Sequence, residues 1–271
     1  MKEFRDRVAV ITGGASGIGF AVARALGRRG MKLVLADIEE AALDRAVTRL
    51  REEGFATTGK ITDVGDRAAL EALADHAWSQ FGGAHIVMHN AGVAVFGPLQ
   101  TMTDQDWSWS LRVNLHGPIN GVQAFLPRML AQGQEGHMVF TASFAGLVPN
   151  RDLGPYNVTK AAVVALAESV YKDMRGTGIG SSVLCPMRVE TAIDQSFRNR
   201  PVELGGPGAN RSYTEEERAQ LQGRALEVDP VAELVVDAII RGDLYIHTHE
   251  EAQAYVAKRA EKIQESFKHA L

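Results

Sequence analysis

The sequence predicts an α/β fold, a doubly wound parallel sheet of seven strands with helices on both faces, and three observations lead to it. Short β-branched runs alternate with longer amphipathic ones along most of the chain. A glycine-rich turn follows the first of these runs and opens a helix. The alternation continues across one length of chain, so a single domain over residues 1–271 is expected. Strand, helix, strand at this period is the mark of right-handed crossovers and parallel pairing.

Taken in order, "VAVIT" (8–12) is the first strand and residues 17–30 the first helix. "KLVLA" (32–36) precedes a charged helix over 39–53, and "ATTGKI" (56–61) precedes a helix over 66–81. "AHIVMH" (84–89) leads into a long helix over 103–131, and "HMVFTA" (137–142) into one over 156–175. "GSSVLC" (180–185) is the sixth strand. In "DPVAELVVDAIIRG", Asp229 is placed as the N-cap, Pro230 at the first helical position and Gly242 just past the end. "DLYIH" (243–247) is a last short strand, followed by a charged terminal helix. Residues 192–224 break the pattern with Gly, Pro and mixed charge. Placed after the sixth strand, this segment is either a lid over a ligand crevice or a passive surface excursion.

Composition excludes several roles. With 271 residues, 45% of them hydrophobic, the chain can bury a sizeable core. A net charge of -4 and a pI near 6.1, with Arg and Lys dispersed along helices, provide no basic field for nucleic acid. The N-terminal apolar run is too short for a signal peptide, and no stretch approaches the roughly 18 apolar residues of a membrane span, so a cytoplasmic protein is expected. The lone Cys185 cannot form an internal disulfide and is read as packing.

"TGGASGIG" (12–19) places Gly13, Gly17 and Gly19 between strand and helix, with Ser16 and Ile18 beside them. Glycines there let the backbone turn sharply and approach a pyrophosphate, whose charge meets free N–H groups and the positive end of the helix dipole. The spacing is G-x-x-x-G-x-G, a relative of the common Rossmann fingerprint. Eighteen residues beyond Gly19 stands Asp37, at the end of the second strand. Its carboxylate can accept hydrogen bonds from the adenosine ribose and repel the extra phosphate of NADP, so NAD is favoured. Ile38 follows where an arginine would otherwise receive that phosphate. Asp37 could also cap the next helix, and the two roles are compatible.

Beyond this loop, Asp63-Val64, "NAG" at 90–92, Asn114, Ser143, "YNVTK" at 156–160 and "PMRVET" at 186–191 follow at strand ends or on helices. With "TGGASGIG" they make the chain resemble the short-chain dehydrogenase/reductase family, in its single-domain branch of about this length. The resemblance implies a Rossmann-like fold and an NAD-dependent alcohol dehydrogenase or ketoreductase. By it, Tyr156 is the acid or base on the substrate oxygen, and Ser143 hydrogen-bonds the same oxygen. Lys160 binds the nicotinamide ribose and lowers the phenol's pKa, and Asn114 supports a water in a proton relay behind it. Asp63 and Val64 hold the adenine, Asn90 and Gly92 border the cofactor, and Pro186, Val189 and Thr191 stand at the nicotinamide end. The chemistry is consistent with these roles, since a phenol of pKa near 10 needs a nearby positive charge to act as a base at neutral pH.

Three positions depart from the family's pattern: His85 replaces an aspartate, His89 an asparagine and Met187 a glycine. No metal site is expected at the histidines. His247 and His249 are read as solvated or at an interface. Met187 either lines the substrate cavity or simply packs. Apolar residues near the expected pocket, Val95, Phe144, Met187, Ile193 and Phe197 among them, suit a hydrophobic or aromatic secondary alcohol or ketone. "GPIN" (117–120) and "NRP" (199–201) are similar to benzylic alcohol dehydrogenases of lignin aryl-ether breakdown. Steroids, aliphatic hydroxy compounds and 3-oxoacyl thioesters are the alternative substrates. A retired NAD-binding sensor or scaffold would be expected to lack Ser143, Tyr156 or Lys160, and all three are present. The resemblance also implies a homotetramer or homodimer packed through the long helix and the one carrying Tyr156, with Ala161, Val164 and Leu166 at that interface or in the protomer's own core.

Overall fold

The computed structural model describes residues 1–207 and 223–269. Its strands are β1 (Val8–Thr12), β2 (Lys32–Asp37), β3 (Thr57–Ile61), β4 (Ile86–His89), β5 (Gly136–Thr141), β6 (Ile179–Cys185) and β7 (Tyr245–His247). They form one parallel sheet in the order β3-β2-β1-β4-β5-β6-β7. The central strands β1 and β4 are nearly continuously apolar because both faces of the sheet are covered there, whereas the edge strands β3 and β7 are partly exposed. In β1, Ala9 and Ile11 face one core with Leu26, Leu35 and Val235. Val8 and Val10 face the other with Leu70, Leu73 and Phe125.

The helices divide between these two cores. On the first side lie α1 (Gly17–Gly27), α2 (Glu40–Glu52) and a helix over Val228–Arg241, called α7 below. On the second lie α3 (Arg67–Phe81), α5 (Gly117–Gln132) and α6 (Gly154–Asp173), with α4 (Asp104–Ser110) leading into α5. A last helix, α8 (Ala252–Ser266), buries only Ala252. Because β1 pairs with β2 on one side and β4 on the other, the strand order reverses there, and a crevice opens beyond their carboxyl ends.

Several expectations need correction. The helix foreseen over 103–131 is interrupted: α4 and α5 are joined by a π-helical turn, Leu111–His116. Pro118 has no N–H to give the Asn114 carbonyl, so the regular helical ladder is broken at that residue. The N-cap of α7 is Glu227; Asp229 lies inside the first turn, while Gly242 ends the helix at φ 76. His249 lies past the end of β7 and is buried, with Nε2 against Arg224 O at 2.8 Å. His247 is exposed and stacks on Tyr245. Residues four apart on a strand share a face, and what separates His85 from His89 is about 13 Å of strand. His85 Nδ1 accepts from Val8 N at 3.1 Å, and His89 packs on Phe140. Val164 is core, whereas Ala161 is exposed and Leu166 half-buried. Of the segment 192–224, residues 193–199 and 202–204 are 3-10 helices, and 208–222 lie outside the described residues.

Candidate active site

At the end of β1 the chain turns through Gly13 (φ 61) and Gly17 (φ 53), a region that side chains disfavour. A Cβ on Gly19 would stand 2.3 Å from Gly13 O, so only glycine lets α1 start this close to the loop. Ser16, the N-cap of α1, makes no side-chain cap bond, which leaves the first amides of the helix available to an anion. Asp37, at the tip of β2, accepts from Ala15 N at 3.1 Å and Glu39 N at 3.2 Å. Burial pushes its pKa up, and those backbone bonds oppose the rise. It does not cap α2, whose N-cap is Glu39. Ile38 beside it is exposed. Asp63 accepts from Gly65 N at 2.8 Å and from Arg112 Nη2 at 2.6 Å. Asn90 ties the loops together, donating to Gly13 O at 3.1 Å while accepting from Thr141 Oγ1 at 3.1 Å.

Further along the crevice, β5 delivers Ser143 and the first turns of α6 deliver Tyr156 and Lys160. Four residues apart on a helix, these last two share a face. Lys160 Nζ stands 5.5 Å from the Tyr156 ring centroid and donates to Thr141 O at 2.8 Å. Burial pulls Lys160 down to about 8. Burial also pushes the Tyr156 phenol above its usual value, against a hydrogen bond with Ser143 that lowers it. Gly92 leaves room for the ammonium, because a Cβ there would lie 3.3 Å from Nζ. Behind them Asn114, in the π turn, accepts from Val93 N at 2.8 Å and donates to Val93 O at 2.9 Å and Thr159 Oγ1 at 3.2 Å. A phenol, a hydroxyl and an ammonium in this arrangement can exchange a proton with an oxygen placed before them.

One crevice brings together Gly13, Ser16, Gly17, Ile18, Asp37, Ile38, Asp63 and Val64 with Asn90, Gly92, Ser143, Tyr156 and Lys160. Pro186, Met187, Val189, Thr191 and Ile193 line it as well, so Met187 belongs to the cavity wall. Three expected substrate residues stand behind that wall, and Gly19 and Asn114 lie outside the lining as well. Val95 and Phe197 pack with Trp109 in a small core, and Phe144 is buried with its ring 5.9 Å from Tyr255. The crevice also recruits residues to which the sequence assigned no site role, notably Glu39, Trp109, Arg112, Ser196, Arg198 and Asn199. For Ser196, Arg198 and Asn199 a signal existed, because they lie in the segment expected to be a lid. For Glu39 and Arg112 there was none, since a half-buried acid and a helical arginine reach the crevice only through the fold.

The chain matches the short chain dehydrogenase model over residues 7–201. It belongs to that family. Among relatives, the C alpha-dehydrogenase of Sphingobium sp. (strain NBRC 103272 / SYK-6) is 36% identical over 272 residues, covering 98% of this chain and 88% of the relative. The 1-deoxy-11-beta-hydroxypentalenate dehydrogenase of Streptomyces exfoliatus is 36% identical over 229 residues, covering 84% and 82%. Among solved structures, a short chain dehydrogenase/reductase from Burkholderia phymatum in complex with NAD is 42% identical, with a TM-score of 0.91 and coverage of 98% and 97%. The likeness to a C alpha-dehydrogenase suggested by "GPIN" and "NRP" is thus matched by a relative of that name.

Proposed function

We propose that this short chain dehydrogenase transfers a hydride between NAD(H) and a secondary alcohol or its ketone, hydrophobic or aromatic, with Tyr156 as the acid/base. The observation that carries the reading is the meeting of Ser143, Tyr156 and Lys160 with the glycine loop and Asp37 in one crevice at the switch point of the sheet. The residues fit the dinucleotide: free amides and glycines at the start of α1 suit a pyrophosphate, and a carboxylate at the tip of β2 suits a ribose without a phosphate. A dinucleotide held there would supply the hydride acceptor or donor.

The protein's own part is to hold the substrate oxygen and move a proton. Ser143 hydrogen-bonds that oxygen. In oxidation the Tyr156 oxygen accepts the hydroxyl proton, and in reduction it returns one. Since burial alone raises the phenol, the phenolate needs positive charge, and Lys160 supplies it from the same helix face. Asn114 fixes the Val93 backbone beside Gly92 and so keeps the space around the ammonium. Val93, Trp109, Met187 and Ile193 make the substrate wall largely apolar, which favours an aryl or otherwise hydrophobic carbinol. The Sphingobium and Streptomyces dehydrogenases support a hydroxyl or ketone as the reacting group.

In this reading the chain is one catalytic domain, the described part of the segment after β6, residues 192–207, borders the substrate, and the enzyme works in the cytoplasm as a homotetramer or homodimer. An absorbance screen for NAD reduction across aryl, steroid and aliphatic secondary alcohols tests the reading. Turnover of an aryl carbinol supports it, and failure with every alcohol and ketone, in both directions, would sink it.

A further inference from the structure

Residues 191–200 form a strap held at four points. Thr191 packs on the glycine loop, with Cγ2 3.2 Å from the place a Gly17 Cβ would take. Ser196 Oγ accepts from Ala94 N at 3.0 Å, just past the "NAG" loop. Arg198 Nη2 donates to Glu39 Oε1 at 2.5 Å, and Asn199 Nδ2 donates to the same oxygen at 2.8 Å. Arg200 Nη1 donates to Asp106 Oδ1 at 2.6 Å, with its guanidinium 5.4 Å from the Trp109 ring centroid. Glu39 follows β2 and Ala94 follows β4, so these anchors lie on opposite sides of β1. Between them the strap crosses the crevice, whose lining includes both Glu39 and Arg198.

The anchors differ in how easily they open. Side-chain exposure is 1% and 12% for Arg200 and Asp106 but 39% and 32% for Arg198 and Glu39. Breaking the first pair would strand a buried charge, whereas the second exchanges its partners for water at small cost. We propose that Glu39 and Arg198, seconded by Asn199, are a clasp that fastens the strap over the cofactor crevice and retains the dinucleotide, with Arg200 as the fixed end. The two are positioning residues for cofactor binding, and the inference rests on the NAD(H) reading above.

Stopped-flow displacement of NADH by excess NAD, followed by NADH fluorescence, tests the clasp on the whole protein with Glu39→Gln, Arg198→Met and their double variant. An exposed ion pair corresponds to a change of up to about fivefold, so each single variant should release NADH roughly three to five times faster, and the double variant no faster than either. Added salt should speed release from the wild type more than from the variants. Unchanged release in the single variants, or effects that multiply in the double variant, overturns the clasp. Slower release from Glu39→Gln also overturns it, since that outcome means Glu39 merely repels the phosphates. A wild type that binds no NADH overturns the cofactor reading as well, so the two failures are distinguishable.

Discussion

At the scale of single residues, the proposed acid/base is a phenol that burial holds above its usual pKa. Tyr156→Phe should lower kcat at least tenfold while changing NADH affinity by less than about twofold, because only the transition state uses the proton. Steady-state rates with a fluorescence titration check this, and a variant keeping more than about a tenth of kcat would remove Tyr156 from its role. Lys160→Met should move the rising limb of the oxidation rate to higher pH, since the ammonium that favours the phenolate is gone. The proposed preference for NAD rests on Asp37. The wild type should prefer NAD over NADP at least tenfold in kcat/KM, and Asp37→Ser should narrow that margin by removing the charge that repels a ribose phosphate. A wild-type preference for NADP would overturn this assignment.

Among the elements, the π turn Leu111–His116 and the strap matter most. In the turn, Asn114 points inward and meets both the amide and the carbonyl of Val93, a pairing a regular helix would have had to find elsewhere. The strap's fixed end is a buried ion pair whose carboxylate also closes a capping box with Thr103 at the start of α4. Asp106→Ala would strand the Arg200 guanidinium under Trp109 and should cost about 3 kcal/mol, a fall in Tm of roughly 8 °C. Calorimetry reads this directly, and a loss under about 1 kcal/mol would show that the guanidinium finds water instead.

For the molecule as a whole, pH reports on histidines far from the proposed chemistry. Burial holds His89 and His137 down to about 3. Between that value and the unfolded value near 6.5 the unfolded chain binds more protons, so stability rises with pH through this window and is lost as pH falls below about 6.5. Each histidine contributes on the order of a few kcal/mol to that slope. Lys160, pulled down to about 8, adds a slope of the same sign between there and its unfolded value near 10.4 in the ligand-free protein. Thermal melts of the wild type and of His89→Asn from pH 4 to 8 test the acid limb. The variant should lose part of the slope, and parallel curves would show that His89 does not titrate on unfolding. Light scattering at micromolar concentration should find a tetramer or dimer, and a monomer would overturn that expectation.

The local alternation of apolar and amphipathic runs by itself announced the seven strands and most of the helices between them, because the central strands, covered on both faces, must be nearly continuously hydrophobic. Glycine spacing likewise announced where loop and helix meet, since positive φ and the close approach at Gly19 are backbone demands written in residue type. Boundaries were less legible. The π turn arises where Pro118 withholds a donor and Asn114 finds Val93, two effects that act together only once the loop after β4 is in place. Only the tertiary structure decided which apolar residues face the crevice, putting Met187 and Trp109 on its wall and Val95, Phe144 and Phe197 behind it. It alone brought Glu39 to Arg198 and Asp106 to Arg200, pairs separated by 159 and 94 residues. Periodicity records which side of its own element a residue occupies, whereas contacts across such distances depend on how the elements pack, and no local pattern carries that information.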